Sequence, residues 1–549
     1  MDLHPISSFS SAFLPLLLLS FLFLPQHYIS LAAINPAPLI STHESILPCL
    51  CHHSVPPNLL FFPNSDNFTA AFLTPQQNQR VISNSEDLKP FLIVTPTQES
   101  HAQAVVLCSR QLNLQLRTRS GGHDYEGLSY SSTLGPFLIL DLLHLRSISF
   151  DLRRGRNTAW VQSGATLGEL YFAIASKSRA LAFPAGFCPT VGVGGHISGG
   201  GIGTLMRAHG IAADNVVDLL VIDAAGQLLQ RESMGEDLFW ALRGGGGASF
   251  GVIIAYKIKL VKIPPSVTVF VKSIDLSQGA TRAVAQWQQV AYRADNRLYI
   301  NAVLSVVNKT VEATFSSLFL GELKELLHIM NESLPELRVT AKDCKETTWI
   351  ESQVTFSSFP LPDINGGPLS LLLDRSPAAI SFSYKIKSDI VTEPIAGENW
   401  EKIWKYMIDG DVQAVQPTML IEPLGGKVGE IAETETPFPH RNGSKFVIQY
   451  IDVWLEQGEK AAKKNVDWLR KFYRFMAPFV SKNPRGAYLN FRDLDLGRNR
   501  GGGRMMSYDS AKVWGRKYYK SNFQRLAFTK AKWDPENFFR NEQSIPPLF

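Results

Sequence analysis

At 549 residues the chain is too long for one simple core, so two or three domains are expected. Its 45% hydrophobic and 19% charged content is ordinary for a soluble globular protein. The net charge of +5 is spread along the chain, and no Lys/Arg run or aromatic–basic stripe points to nucleic acid. Arg153–Arg156 reads as a solvated turn.

Phe13–Leu24 is an apolar run too short for a comfortable membrane span, followed by small residues around Ala32–Ala33. Residues 1–33 therefore read as a secretory signal peptide, although no Lys or Arg precedes the run. No later stretch reaches spanning length, so the mature protein is expected to be soluble and free of membrane. Four N-x-S/T tripeptides, at Asn67, Asn308, Asn331 and Asn442, fit glycosylation on the secretory route. The cysteines are Cys49, Cys51, Cys108, Cys188 and Cys344, and an odd number leaves at least one unpaired or chemically occupied. We expect one disulfide, Cys49–Cys108, joining the mature N-terminus to a helix, and a chemical task for Cys188.

Residues 34–88, rich in Pro and Asn, read as an entry segment. Lys89–Thr95 predicts a buried strand, Gln98–Leu112 a helix, and Leu114–Arg119 the next strand. The turn leaving it, Arg119-Ser120-Gly121-Gly122-His123-Asp124-Tyr125, is a glycine-bearing loop with a nucleophile at its edge. Pro136–Asp141 and Thr158–Val161 read as strands, and Gly164–Ser176 as a loop entering a helix. Next comes Cys188–Gly203, CPTVGVGGHISGGGIG, around which the chain is organised. Glycine lets main chain approach a flat or phosphorylated ligand, and successive open N–H groups form a concavity that suits pyrophosphate. Val216–Asp223 predicts a strand and Asp237–Leu242 a short helix. A third glycine cluster, Arg243–Gly247, precedes the strand Gly251–Leu260. Three glycine turns between strands suggest one extended ligand lying across an α+β domain.

Pro264–Pro265 marks a boundary. Beyond it Val267–Ile274, Leu298–Val307, Val311–Leu320, Ile380–Lys387 and Phe446–Trp454 alternate like antiparallel strands. Helices around Thr281–Ala294, Leu323–Met330 and Glu398–Met407 should cover one face of that sheet. The last stretch, Tyr488–Phe549, is expected to pack back onto the first domain.

Five motifs then stand in order: RSGGHDYEGLSY, CPTVGVGGHISGGGIG, WALRGGGGASFGV, AYLNFRDLDLG and NFFRNEQSIP. Together they resemble the plant berberine bridge enzyme-like FAD-linked oxidoreductases, over essentially all of the chain after the leader. The resemblance implies an α+β fold of the vanillyl-alcohol-oxidase (PCMH) type. Its FAD-binding domain would be 89–263 completed by 485–549, and its substrate-binding domain 264–484, an antiparallel sheet covered by helices. It implies bicovalent FAD, with His123 on the flavin 8α-methyl carbon and Cys188 on C6, since imidazole and thiolate are nucleophilic near neutral pH. His196 would hydrogen-bond the ribityl region. Arg119, Ser120, Gly121, Gly122, Gly164 and Asn215, with Gly192, Gly194, Gly195, Gly199 and Gly200, would position pyrophosphate, adenine and ring. Tyr488, Asn490 and Asn537 would line the flavin, and Val191 sits where the family controls oxygen access. No metal is implied.

The substrate side departs from the family. Many members carry Tyr, Lys and Tyr where this chain has Phe491, Val447 and Ile202, and the Lys favours a tyrosinate from a group otherwise titrating near ~10. Gln449 and Tyr125 remain, with Glu422, His440 and Arg441 nearby. An alcohol needs a base to lose its hydroxyl proton, whereas an amine can lose hydride without one and a phenol carries its own acidic proton. Walls of Ile202, Val447 and Phe491 also favour an aromatic ligand over a sugar. The expected activity is oxidation of an aromatic or alkaloid-like specialised metabolite oriented by Tyr125 and Gln449, with dioxygen as final acceptor giving peroxide. A cell-wall carbohydrate oxidase of the same family and a redox-silent flavin-containing cyclase are the alternatives. A monomer is expected, destined for the extracellular space or cell wall, the vacuole or an ER-derived vesicle.

Overall fold

The computed structural model describes residues 39–74, 76, 78–82, 89–358, 362–376, 382–410, 417–499 and 506–548. The expected signal peptide lies outside them. The unit His43–Phe549 carries everything that follows. Among the described residues, no helix is long and apolar enough to cross a membrane.

Uninterrupted apolar runs form strands covered on both faces. Leu92–Val94, Phe137–Asp141 and Gln115–Arg119 lie side by side in parallel, and Leu60–Phe61 closes the edge antiparallel. The helix Glu99–Gln111 crosses from the first of these to the last, and Cys108 within it is disulfide-bonded to Cys49. A second sheet, antiparallel throughout, runs Ile148–Asp151, Thr158–Gln162, Val252–Lys259, Val216–Ile222 and Leu228–Leu229. The helix ending this region is longer than its sequence suggests, Arg231–Leu242, because Gly235 at φ 67° breaks it and hides its first turn.

The third sheet is antiparallel with seven strands, in the order Cys344–Thr347, Val267–Asp275, Thr310–Phe319, Leu298–Val307, Thr418–Pro423, Phe446–Trp454 and Ser383–Val391. The sequence pattern places the last of these at Ile380–Lys387. It runs on through Asp389, whose charge is held by Arg485 at 2.5 and 2.6 Å. Side chains alternate between faces. Met419, Ile421, Ile448 and Tyr450 share a core with Trp287, Trp400 and Phe472 of the covering helices Ala280–Val290, Gly397–Ile408 and Glu459–Phe475. Leu420, Glu422, Gln449 and Ile451 have the opposite parity and face a cavity.

The C-terminal helices Tyr508–Tyr519 and Asn522–Trp533 fold back onto the first half, with Trp514, Phe523 and Leu526 in one core with Trp240, Phe250 and Val193. Lys530 Nζ is buried at their end and donates to Ser249 O and Phe539 O, both at 2.7 Å, and to Asp534 Oδ2 at 2.6 Å. A buried ion cluster adds a second attachment. Lys385 Nζ meets Glu126 and, at 2.8 Å, Asp493. Lys387 Nζ holds Asp493 at 2.5 Å and Asp495 at 3.0 Å. The loop of His123, the large sheet and the C-terminal segment are thereby joined at one point.

Candidate active site

A cavity of about 670 Å³ opens among all three glycine segments and the inner face of the seven-stranded sheet. The first two segments touch main chain to main chain. A Cβ on Gly192 would overlap Gly121 N and Ser120 Oγ, so only glycine permits the contact. Ser120 Oγ donates to Ser163 O at 2.5 Å, and Val193 N donates to Ala165 O at 2.9 Å, fixing both loops to the second sheet. A Cβ on Gly195 would meet nothing within 4 Å. Bare main chain at Gly192, Gly194, Gly195 and Gly199 along one wall suits a flat, phosphorylated cofactor such as FAD.

His123 and Cys188 both line this cavity. His123 Nε2 lies 3.0 Å from Thr190 Oγ1. Burial lowers the imidazole to about 4, so the ring is neutral and has a lone pair to offer. Burial, helped by the charge of Glu422, pushes the Cys188 thiol up to about 12. The thiol, not the thiolate expected near neutral pH, is therefore the resting form of Cys188 in this cavity.

His196 lines the cavity, and its Nε2 accepts from Gly186 N at 2.9 Å. Burial holds this ring neutral too, at about 4, so its Nδ1 carries the proton and is a donor. Tyr488 Oη accepts from Gly201 N at 2.8 Å and Ile202 N at 3.2 Å. Asn490 Nδ2 reaches both Tyr488 Oη and His196 O at 2.9 Å. These two C-terminal side chains brace the central glycine loop and also line the cavity. Gly121, Gly122, Ser120 and Val191 stand on the wall as well.

Six residues expected at the site are not among those lining the cavity. Arg119 is fully buried, held by Asp141 at 2.7 and 3.1 Å and donating to Phe72 O at 3.1 Å. Gly164 is a packing glycine, since a Cβ there would run into Leu142 O. Gly200 turns the chain at φ 121° behind the wall. Asn215 ties its own turn, donating to His209 O at 3.0 Å and Ile211 O at 3.1 Å. Asn537 is buried in a left-handed turn closed on Asp534 O at 3.0 Å. Val447 packs with Met206, Tyr299 and Ile390 beneath the pocket. His440 and Arg441 are structural as well: His440 Nε2 donates to Ala487 O at 2.9 Å, and Arg441 grips Asp214 at 2.6 and 2.9 Å. Arg117, in contrast, lines the cavity and pairs with Glu542 at 2.8 Å. Nothing in its strand distinguishes it from Arg119.

The end of the cavity around Tyr125 is aromatic. Phe491 stacks on Tyr125 at 6.1 Å and Tyr384 meets Tyr125 edge-on at 5.8 Å. Gln449 Nε2 donates to Tyr125 Oη at 2.9 Å. Burial raises Tyr125 well above an ordinary phenol, so it stays protonated and orients rather than takes protons. Glu422 supplies the ionisable group that Phe491, Val447 and Ile202 lack. Its Oε1 accepts from Tyr299 Oη at 2.8 Å, and burial pushes its carboxyl up to about 7. Glu422, expected nearby from the sequence, thus puts a titratable carboxyl on the cavity wall.

The FAD binding domain family matches residues 90–231, and the "Berberine and berberine like" family matches residues 487–546. Berberine bridge enzyme-like 23 of Arabidopsis thaliana is 48% identical over 92% of this chain and 94% of its own length. Tetrahydroberberine oxidase of Berberis wilsoniae is 46% identical over 94% of this chain and 97% of that protein. The crystal structure of Phl p 4, a grass pollen allergen with glucose dehydrogenase activity, superposes with a TM-score of 0.86 at 43% identity, covering 92% of this chain and all of that one. Both matched family segments contribute walls to the glycine-lined cavity. The chain belongs to the berberine bridge enzyme-like family of FAD-dependent oxidoreductases.

Proposed function

We propose that this oxidoreductase is a secreted oxidase with FAD bonded to both His123 and Cys188, acting on an aromatic, amine-bearing specialised metabolite. The single observation that carries the substrate reading is the cluster of Tyr125, Phe491 and Tyr384 rings on the cavity wall, with Ile202 beside them, which offers flat apolar faces to an aromatic ring. A relative named for oxidising tetrahydroberberine supports the same class. When bound, FAD accepts two electrons from the substrate and passes them to dioxygen, giving peroxide. The chain's own residues do the rest. Aromatic faces at Tyr125, Phe491 and Tyr384 hold the substrate ring. An amine is mostly protonated at neutral pH, and its lone pair is then unavailable to support loss of hydride from the neighbouring carbon. Glu422 takes that ammonium proton while Gln449 and Tyr125 hold the substrate in register. The apolar lining excludes water and strengthens the attraction between carboxylate and cation.

Secretion is supported by the apolar leader and by the exposure of Asn67, Asn308, Asn331 and Asn442. We place the mature protein, as a monomer, on the secretory route towards the extracellular space or cell wall, the vacuole or an ER-derived vesicle. Anaerobic bleaching of the purified yellow protein against alkaloids, phenolics and oligosaccharides tests the function. Alkaloid-type amines should bleach it fastest, and air should restore the colour with release of peroxide. Faster bleaching by sugars would overturn the substrate reading in favour of a carbohydrate oxidase. An isomerised product without oxygen uptake would favour a redox-silent cyclase.

A further inference from the structure

Thr190 stands two residues beyond Cys188, yet its hydroxyl is 3.0 Å from the imidazole of His123. The loop carrying one proposed tether therefore holds the side chain of the other. The main-chain contact of Gly121 with Gly192 keeps the two loops from sliding, so Thr190 is set against the ring by the backbone. A neutral imidazole donates from one nitrogen and accepts at the other. The Thr190 carbonyl also favours a proton on this ring. The Thr190 hydroxyl oxygen faces Nε2 and can accept a proton from it, and a proton there leaves the lone pair on Nδ1. The contact with Thr190 Oγ1 engages Nε2, and His123 lines the cavity.

We propose that Thr190 is a positioning residue whose hydroxyl holds His123 as the Nε2–H tautomer, presenting the Nδ1 lone pair to the cavity as the atom that bonds the flavin methyl carbon. This rests on the bicovalent reading. In that reaction Nδ1 forms a C–N bond and one methyl C–H bond breaks. The methyl proton and the imidazole proton depart, and two electrons pass with them to dioxygen, which becomes hydrogen peroxide. Once Nε2 has lost its proton it is an acceptor. The Thr190 hydroxyl can rotate and donate to it, so the contact survives the change. Valine, of similar shape, can do neither.

The test is peptide mass spectrometry of the full-length purified protein, read as the ratio of flavin on the His123 peptide to flavin on the Cys188 peptide. Wild type should carry flavin on both. In Thr190→Val the ratio should fall about five-fold, the factor expected for one lost hydrogen bond. Thr190→Ser should keep the wild-type ratio. An unchanged ratio in Thr190→Val, including an equal loss at both sites, overturns the proposal. A wild-type His123 peptide without flavin would instead overturn the bicovalent reading itself.

Discussion

Replacing Glu422 by Gln keeps the shape of the side chain and an acceptor for Tyr299 Oη, which now sits 2.8 Å away. The fold should survive, and only the titrating proton is lost. With its carboxyl raised to about 7 by burial, Glu422 is about one-tenth ionised at pH 6 and about nine-tenths at pH 8. If the ionised form takes the ammonium proton, the rate of substrate reduction should rise about ten-fold between these values. A positioned base contributes roughly 10²–10⁴-fold, so Glu422→Gln should slow the step by that range and abolish the rising limb. The assay is anaerobic stopped-flow bleaching with the best substrate of the panel, from pH 5.5 to 9. A Glu422→Gln enzyme that keeps both the rate and the limb would refute the reasoning. A limb that moves with the substrate amine and ignores the variant would do so as well.

Three further outcomes are expected. Acid-precipitated wild type should stay yellow, as should His123→Ala or Cys188→Ala alone, while the double variant releases its colour into the supernatant. Tyr488→Phe leaves Gly201 N–H and Ile202 N–H without their oxygen and the Asn490 amide with His196 O alone. It should cost about 1–3 kcal/mol in urea melts, with no change in the m-value. Lys385→Met leaves Glu126 with Arg80 and Asp493 with Lys387 as their remaining cations, and should cost about 1–3 kcal/mol. Burial alone would raise the Glu126 carboxyl, but Lys385 and Arg80 hold it well below the usual range. Its stabilisation is therefore complete above that range and is lost as the pH falls through it, which acid unfolding of wild type and variant would show.

The strands, most helices and the three glycine loops are legible because their signals are local: alternation, apolar runs and clustered glycine reflect each residue's own conformational cost. The helix Glu459–Phe475 is hidden in the sequence because its surface is rich in Lys and its buried stripe is only Ala461, Asn465, Leu469 and Phe472. Arg117 and Arg119 are two residues apart in one strand, but only contacts with Glu542 and Asp141, distant in sequence, separate the cavity residue from the clamp. Val447 and Gln449 look equivalent by the alternation of their strand, yet one packs beneath the pocket and the other faces Tyr125.

What the sequence by itself determined is which short motifs reach the cavity: His123, Cys188 and most glycines of the central loop do, whereas Arg119, Gly164, Gly200, Asn215 and Asn537 are drawn into packing away from its walls. The character of Glu422 was decided only by tertiary structure. A carboxyl's affinity for its proton depends on what excludes water from it, and those walls come from segments hundreds of residues apart that meet only in the folded chain.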